Sequence, residues 1–576
     1  MLLLAAQPAL AQLDAEWMDL AALYDHRFRF DGDGRPVMTV GLMDGQAEVA
    51  VRAATPWRLR FSDGTALRTL ALAAGTRVTV KIKEATPARV RRWAVLETLE
   101  REDRVRAESL AATWRTRLGA GSAVRVFDVG GIYGVEGTVV DNRARLVAAG
   151  PAKEAELEAL MQRVYAQLGV RPRVFEELLD LPGARLLLVD DAGVVLAQAK
   201  DVVEALAPGA GVTLEKVEHG VGYKSHGVED RLYASAVVVA VDPRGKLAAL
   251  NALEVDVLLK GIVPSEIYPT SPLEALKAQA VTARGEVFAK VGVRHLTDPF
   301  VLCDEQHCQV YSGVNMEKPA CSTAVDQTQG EMAFLGGRLV DSVYSAMCGG
   351  RSEDNEVVWE VPAAGALRGR VDHDGADVLL ASRAPALELA GRAVAPAPLV
   401  ADPSRPVAHP GLLLAMDLSG EAAVRQFLVD PPPAYCAQAS MGRKDRFRWT
   451  RRLPVEEATE KAAELNVGDV TALRVESRGK GGRVRTLLVA GSRGNAFVHR
   501  ELPVRRLFGN LPSGLFVVDE ERGADGALVA FVLRGAGFGH GVGMCQTGAI
   551  GMAEAGHDYH AILRHYYNGA EVRRVY

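Results

Sequence analysis

Six cysteines in 576 residues are too few for a disulfide scaffold, so any role for cysteine has to come from spacing. No internal run of about twenty apolar residues occurs, and nothing is expected to cross a bilayer as a helix. An excess of basic charge is also missing. The 67 Lys and Arg stand against 72 Asp and Glu, a net charge of −5, and without a global basic field a nucleic-acid partner is not expected. What is present is ordinary globular material, 48% hydrophobic and 24% charged, which excludes disorder as the main state. At about 150 residues per domain the length predicts three or four folding units.

The only targeting signal lies at the start. Met1 to Gln12 form an apolar run ending in Ala9-Leu10-Ala11, a small-x-small cleavage pattern without the basic residues that normally precede it. Residues 1–11 are therefore read as a signal-peptide remnant, which predicts an extracytoplasmic location in the cell envelope or periplasm.

Residues 36–123 alternate apolar and polar (VMTVGL, EVAVRA, WRLRF, RVTVKIK) with turn signals between runs, a β-rich pattern. Residues 124–222 open as strand, turn, strand and helix and are read as a small α/β subdomain whose pattern resembles the SPOR glycan-binding module. A second β-rich stretch begins at 223 and leads to Ser271-Pro272-Leu273-Glu274, a capping box with Ser271 as N-cap and Pro at the first helical position. The helix that follows is expected to end at Gly292. Residues 361–425 are rich in Ala and Pro and read as an insertion or connector, and strands return in 426–576. Strands and helices lack a βαβα rhythm, so the expected class is α+β with mixed or antiparallel sheets.

Three segments could carry chemistry. His295, Cys303, His307 and Cys308 offer four soft or borderline ligands within fourteen residues, a set suited to tetrahedral zinc with no open position. The residues alone leave zinc, a local disulfide and an incidental polar loop open. Glu266 lies between apolar Ile262, Val263, Ile267 and Tyr268, surroundings that raise a carboxyl pKa as a general acid requires. Lys277 and Arg284 share a helical stripe beside it, where they would bind an anionic or sugar ligand and pull the pKa back, or else form a solvated face. The third segment, Arg534 to Ala549, has Gly at 535, 537, 539, 541 and 543, which strips side chains from one face and admits a ligand or another backbone. It is not a phosphate loop, since no Lys-Ser or Lys-Thr follows. His540 and Cys545 would permit a Cys-His nucleophile, although a small buried Cys is the commoner case. Cys348 and Cys436 flank the Ala/Pro insertion and are expected to pair as a disulfide in an oxidising compartment.

Taken together, the text VPSEIYPTSPLEALKAQAVTAR, CDEQHCQVYSG, DSVYSAMCGGRSEDNEVVW and GFGHGVGMCQTGAIGMAEAGHDYHAILRHYYNG resembles, in order, the SpoIID/LytB family of peptidoglycan lytic transglycosylases and amidase enhancers. The resemblance covers roughly 223–360 and 425–576, with Cys545 where the family more often has Ser. It implies a SpoIID-like catalytic core that cuts the β-1,4 bond between N-acetylmuramic acid and N-acetylglucosamine without water, leaving 1,6-anhydro ends. Glu266 matches the catalytic glutamate, and a single acid/base of this kind needs no paired second carboxylate. The zinc ligands would be His295, Cys303, His307 and Cys308, the metal being structural. Lys277, Arg284, His540 and Gln546 match motif positions read as substrate-binding. The implied partners are glycan strands and a cell-wall amidase. The alternative is a non-enzymatic wall-binding protein that enhances an amidase.

Overall fold

A computed structural model of the chain describes residues 17–119, 122–135, 138–151, 153–168, 172–220, 226–305, 307–359, 361–373 and 417–576. The expected signal-peptide remnant and most of the Ala/Pro insertion lie outside the described residues. The class is α+β, as expected. The chain forms two compact units rather than three or four: one takes residues up to Asp341 together with Glu571–Tyr576, the other Ser342–Ala570.

The first unit is built on a 13-stranded, almost wholly antiparallel sheet. Alternating sequences supply it, as in Trp57–Ser62, whose residues alternate between buried and more exposed. Its central hairpin, Ala236–Val241 with Leu247–Glu254, is buried at every position, and these strands read as nearly continuous apolar runs. Strand Leu247–Glu254 pairs on its other side with Pro36–Gln46 and runs directly into helix Val255–Glu266. Helix Leu273–Lys290 packs against that helix. It begins one residue later than the capping box predicts, with Pro272 as N-cap, and ends at Lys290, after which Gly292 takes a left-handed φ of 69°. The short strand Leu302–Cys303 joins the sheet in parallel beside Val40 and Gly41.

The boundary expected at residue 124 is corrected. Arg89–Glu100, Arg104–Leu118, Ser122–Val129, Ala144–Pro151, Leu157–Leu168 and Val174–Asp180 run as β-α-β-β-α-β, with the separate strand pair Ile132–Val135 and Thr138–Asp141 between the second and third strands. The four strands stand in the order Val174–Asp180, Arg89–Glu100, Ala144–Pro151, Ser122–Val129, all antiparallel, the arrangement of a ferredoxin-like split βαβ unit. The subdomain therefore begins near Arg89 and ends at Asp180, and Gly183–Val189 already belongs to the large sheet. Its first helix went unread because the buried stripe is Ala107, Ala111, Trp114 and Leu118, two of them alanines with little apolar signal.

The second unit holds two three-stranded antiparallel sheets, Arg448–Pro454, Leu528–Ala536 and Phe516–Arg522 in one and Val470–Arg478, Val484–Gly491 and Gly494–His499 in the other. They share a core that includes Leu453, Val484, Leu487, Phe508, Phe516 and Phe531. A parallel two-residue pair, Tyr344–Ser345 with Met544–Cys545, brings the two conspicuous motifs of this unit together.

Candidate active site and metal centre

Helix Val255–Glu266 delivers Glu266 at its last turn, half-buried, and Tyr268 beyond it is largely exposed. Burial, with the neighbouring Glu286 carboxylate as the next cause, pushes the Glu266 carboxyl up to about 7. The Val310 N–H, which donates to Oε1 at 3.4 Å, and the Lys290 ammonium act against that rise. The surroundings are thus less apolar than the local sequence suggests. Glu286 lies on helix Leu273–Lys290 and has both oxygens engaged, Oε1 by Lys290 Nζ and Oε2 by Gln309 Nε2. Burial raises the Glu286 carboxyl as well, against the pull of Lys290, and each of its oxygens accepts one of these hydrogen bonds.

The other expected residues of this helix separate into two situations. Lys277 is partly buried and its ammonium donates to Glu274 Oε1 at 2.8 Å. Arg284 does not lie on a ligand-facing stripe. It is 0% exposed, bonded to Asp256 Oδ1 at 2.8 and 3.0 Å and to the Glu331 carbonyl at 2.9 Å. A guanidinium so enclosed holds the helix in place and has no face left for substrate, which corrects the substrate-binding reading.

His295, Cys303, His307 and Cys308 do converge, with one ligand atom from each within 4.8 Å of all the others. His295 Nε2 is 3.3 Å from Cys308 Sγ, and His307 Nδ1 is 3.6 Å from Cys308 Sγ and 3.7 Å from Cys303 Sγ. Bonds of about 2.3 Å to sulfur and 2.0 Å to nitrogen make tetrahedron edges of roughly 3.3–3.8 Å, so the donor set fits zinc. Neither cysteine is in a disulfide. Asp298 Oδ2 sits 2.9 Å from His295 Nδ1 and orients the ring so that Nε2 faces the sulfur.

The loop carrying these ligands is fastened to the helices. Tyr311 packs on Gly261, where an added Cβ would come within 2.7 Å of the ring, and its hydroxyl donates to Asn251 Oδ1 at 2.8 Å. Lys290 Nζ donates to the Cys308 carbonyl while holding Glu286. Ligand loop and Glu266 therefore share Val310, Gln309, Glu286 and Lys290 as intermediaries. Sequence reading missed Glu286 and Lys290. With Gln279 they stand at i, i+7 and i+11, and polar residues at helical spacing on a helix buried nearly all round were the available signal.

In the second unit, Gly541 takes φ of 70°, and a Cβ there would strike the Arg483 guanidinium. The glycine-spaced segment thus accommodates the protein's own groups. His540 Nδ1 accepts from the Val542 N–H at 3.1 Å and Nε2 donates to the Tyr344 carbonyl at 2.7 Å. Both nitrogens face main chain, and the Cys545 sulfur is buried elsewhere, so the Cys-His nucleophile is not assembled. Trp359 lies 4.8 Å from the His540 ring. Gln546 opens helix Gln546–Glu554 and is 8% exposed. Cys348 and Cys436 are free thiols with sulfurs 3.8 Å apart, which corrects the expected disulfide.

Comparison with known proteins bears on the same segments. The family model described as "Stage II sporulation protein" matches residues 243–334, which contain Glu266 and all four candidate zinc ligands. Residues 243–334 of this chain thus carry a SpoIID-family domain. A model described as a domain of unknown function matches 353–543 of the second unit. Among relatives, an uncharacterized protein of Brachyspira hyodysenteriae is 25% identical over 61% of this chain and 74% of its own length. The amidase enhancer of Bacillus subtilis is 25% identical over 54% of this chain and 39% of its own. The stage II sporulation protein D of Bacillus amyloliquefaciens is 32% identical over 22% of this chain and 33% of its own. The chain spans well under half of the two relatives whose names state a role. No helix among the described residues is long and apolar enough to cross a membrane.

Proposed function

We propose that this SpoIID-family chain acts on the cell wall, outside the cytoplasm, as a peptidoglycan lytic transglycosylase with Glu266 as its acid/base. The observation that carries the reading is a half-buried carboxyl at a helix end, raised by burial to about 7, so that a sizeable fraction holds its proton near neutral pH. Glu266 would give its proton to the glycosidic oxygen as the C1–O4 bond breaks, then take the C6 hydroxyl proton as O6 bonds to C1. The proton count closes and no water is consumed. Because Glu286 is held by Lys290 and Gln309, it is not a free nucleophile for the hydrolytic alternative.

Zinc would be held by His295, Cys303, His307 and Cys308 and would act structurally. A closed four-ligand set leaves no place for substrate, and an ordered loop keeps the Val310 N–H and Gln309 amide where Glu266 and Glu286 need them. Cys308→Ser should remove one zinc per chain and lower cleavage without touching Glu266.

The second reading, a non-enzymatic amidase enhancer, is favoured by the name of the Bacillus subtilis relative. Incubation of the purified chain with defined glycan strands separates the two. Anhydro-muramic ends are expected, and unchanged strands together with a stimulated amidase would replace the enzymatic reading by the second.

A further inference from the structure

Cys348, Asp372, Cys436 and Cys545 bring three sulfurs and a carboxylate oxygen within 4.8 Å of one another in the second unit. All four are at most 1% exposed. We infer that this cluster is a second metal site, independent of the first, that takes zinc or a similar thiophilic divalent cation through three thiolates and one carboxylate oxygen.

The geometry suits a metal better than a disulfide. The 3.8 Å between the Cys348 and Cys436 sulfurs is an edge of a zinc-thiolate tetrahedron, whereas a disulfide needs about 2.05 Å. The surroundings supply what anionic ligands need. Cys545 caps helix Gln546–Glu554, and its sulfur accepts the Gly548 N–H at 3.3 Å and the Cys348 N–H at 3.1 Å. Asp372 accepts the Cys436 N–H at 2.8 Å and the Tyr566 hydroxyl at 2.5 Å, contacts that orient a ligating carboxylate. Gly548 makes this possible, since a Cβ there would collide with both the Tyr566 hydroxyl and Asp372. Arg448, bonded to the Gly349 carbonyl at 2.9 Å, places positive charge beside Cys348 and Cys436.

Soft thiolates select zinc-like ions, and four enclosed protein ligands leave no open position. The site is therefore structural. It ties the turn after strand Tyr344–Ser345, Asp372 next to Val371 that bridges to Arg351, helix Tyr435–Gln438 and strand Met544–Cys545 to one point. Each of the three metal–sulfur bonds formed replaces a thiol proton, so binding releases protons to buffer and involves no redox step.

The test uses the full chain with the first cluster disabled as Cys303→Ser/Cys308→Ser, or as His307→Asn at an exposed ligand should the double variant not fold. Zinc is counted after exhaustive dialysis, and Co(II) is then substituted and its absorption recorded. One metal equivalent with intense thiolate-to-cobalt bands is expected, and Cys436→Ser in that background should abolish both. Absence of bound metal in the first-cluster variant would overturn the site. So would metal retained in full after Cys436→Ser, or a Cys348–Cys436 disulfide in a non-reduced peptide map.

Discussion

The chain carries two candidate four-residue ligand sets that share their size and their cysteines but differ in how they are written in the sequence and in what surrounds them. One is written within fourteen residues, lies on a loop with His307 exposed and Cys303 partly so, and connects through Gln309 and Lys290 to the carboxyl we assign to catalysis. The other joins residues up to 197 positions apart, is enclosed, and connects to main-chain amides and to Tyr566, with Arg448 beside it. The first arrangement lets a bound ion influence chemistry through a chain of polar contacts. In the second, an ion would substitute for packing that three small thiols cannot provide. Disturbance of the first region should thus read out in activity and of the second in stability.

The largest expected effect sharpens that contrast. Glu266→Gln keeps the side chain's shape but removes the transferable proton, and cleavage of glycan strands should fall by about 10²- to 10⁴-fold. Metal content should stay close to wild type, and the melting temperature should not fall, because the amide also removes a buried group that is unfavourable when charged. Cleavage at an undiminished rate would sink the catalytic assignment.

Arg284→Met tests whether the first region has a purely structural part. Removing one member of an enclosed ion pair costs about 3–5 kcal/mol, because Asp256 is left behind without its partner. A large fall in denaturation midpoint is expected, and a variant with wild-type stability but lost glycan affinity would restore the substrate-binding role.

The contrast also explains what could be read from sequence. Helix Leu273–Lys290 and the 295–308 ligands were legible because their signals are local: a Ser-Pro-Leu-Glu start, and four ligands on one short loop. The class, α+β, followed from alternation in the strands. The ferredoxin-like boundary at Arg89 was missed because Ala107 and Ala111 make a weak stripe. Arg284 was misplaced because a helix buried nearly all round offers no polar face from which to infer exposure. The second cysteine set was invisible for another reason. Its members share no motif, and Cys348 and Cys436 taken alone suggest a disulfide until Cys545 and Asp372 are seen beside them.

Gly541→Ala disturbs the second region without touching any ligand. Alanine would have to adopt φ of 70° and push back the Arg483 guanidinium, which donates to the Cys348 carbonyl at 3.1 Å. Strain and overpacking of this kind cost about 1–3 kcal/mol. Thermal unfolding should show the loss, and an unchanged midpoint would mean the glycine spacing serves something other than close approach.

The smallest effect is a displacement along the pH axis. The Glu266 carboxyl sits at about 7 in the folded chain against an ordinary 4.5, so between those values the folded state holds a proton that the unfolded chain has released. This group's contribution to stability is therefore greatest at low pH, declines as pH rises from about 4.5 to about 7, and changes no further above that. Activity follows the same direction, because only the protonated carboxyl can act as the acid: kcat/KM should fall about tenfold per pH unit above about 7. Burial is the leading cause of the shift and Glu286 the next. Glu286→Gln removes the second cause and loosens the hold on Lys290, which also favours the charged form, so the alkaline limb should move to lower pH while staying above the ordinary carboxyl range. A limb that stayed fixed or moved upward would mean that Glu286 does not act on Glu266 through its charge.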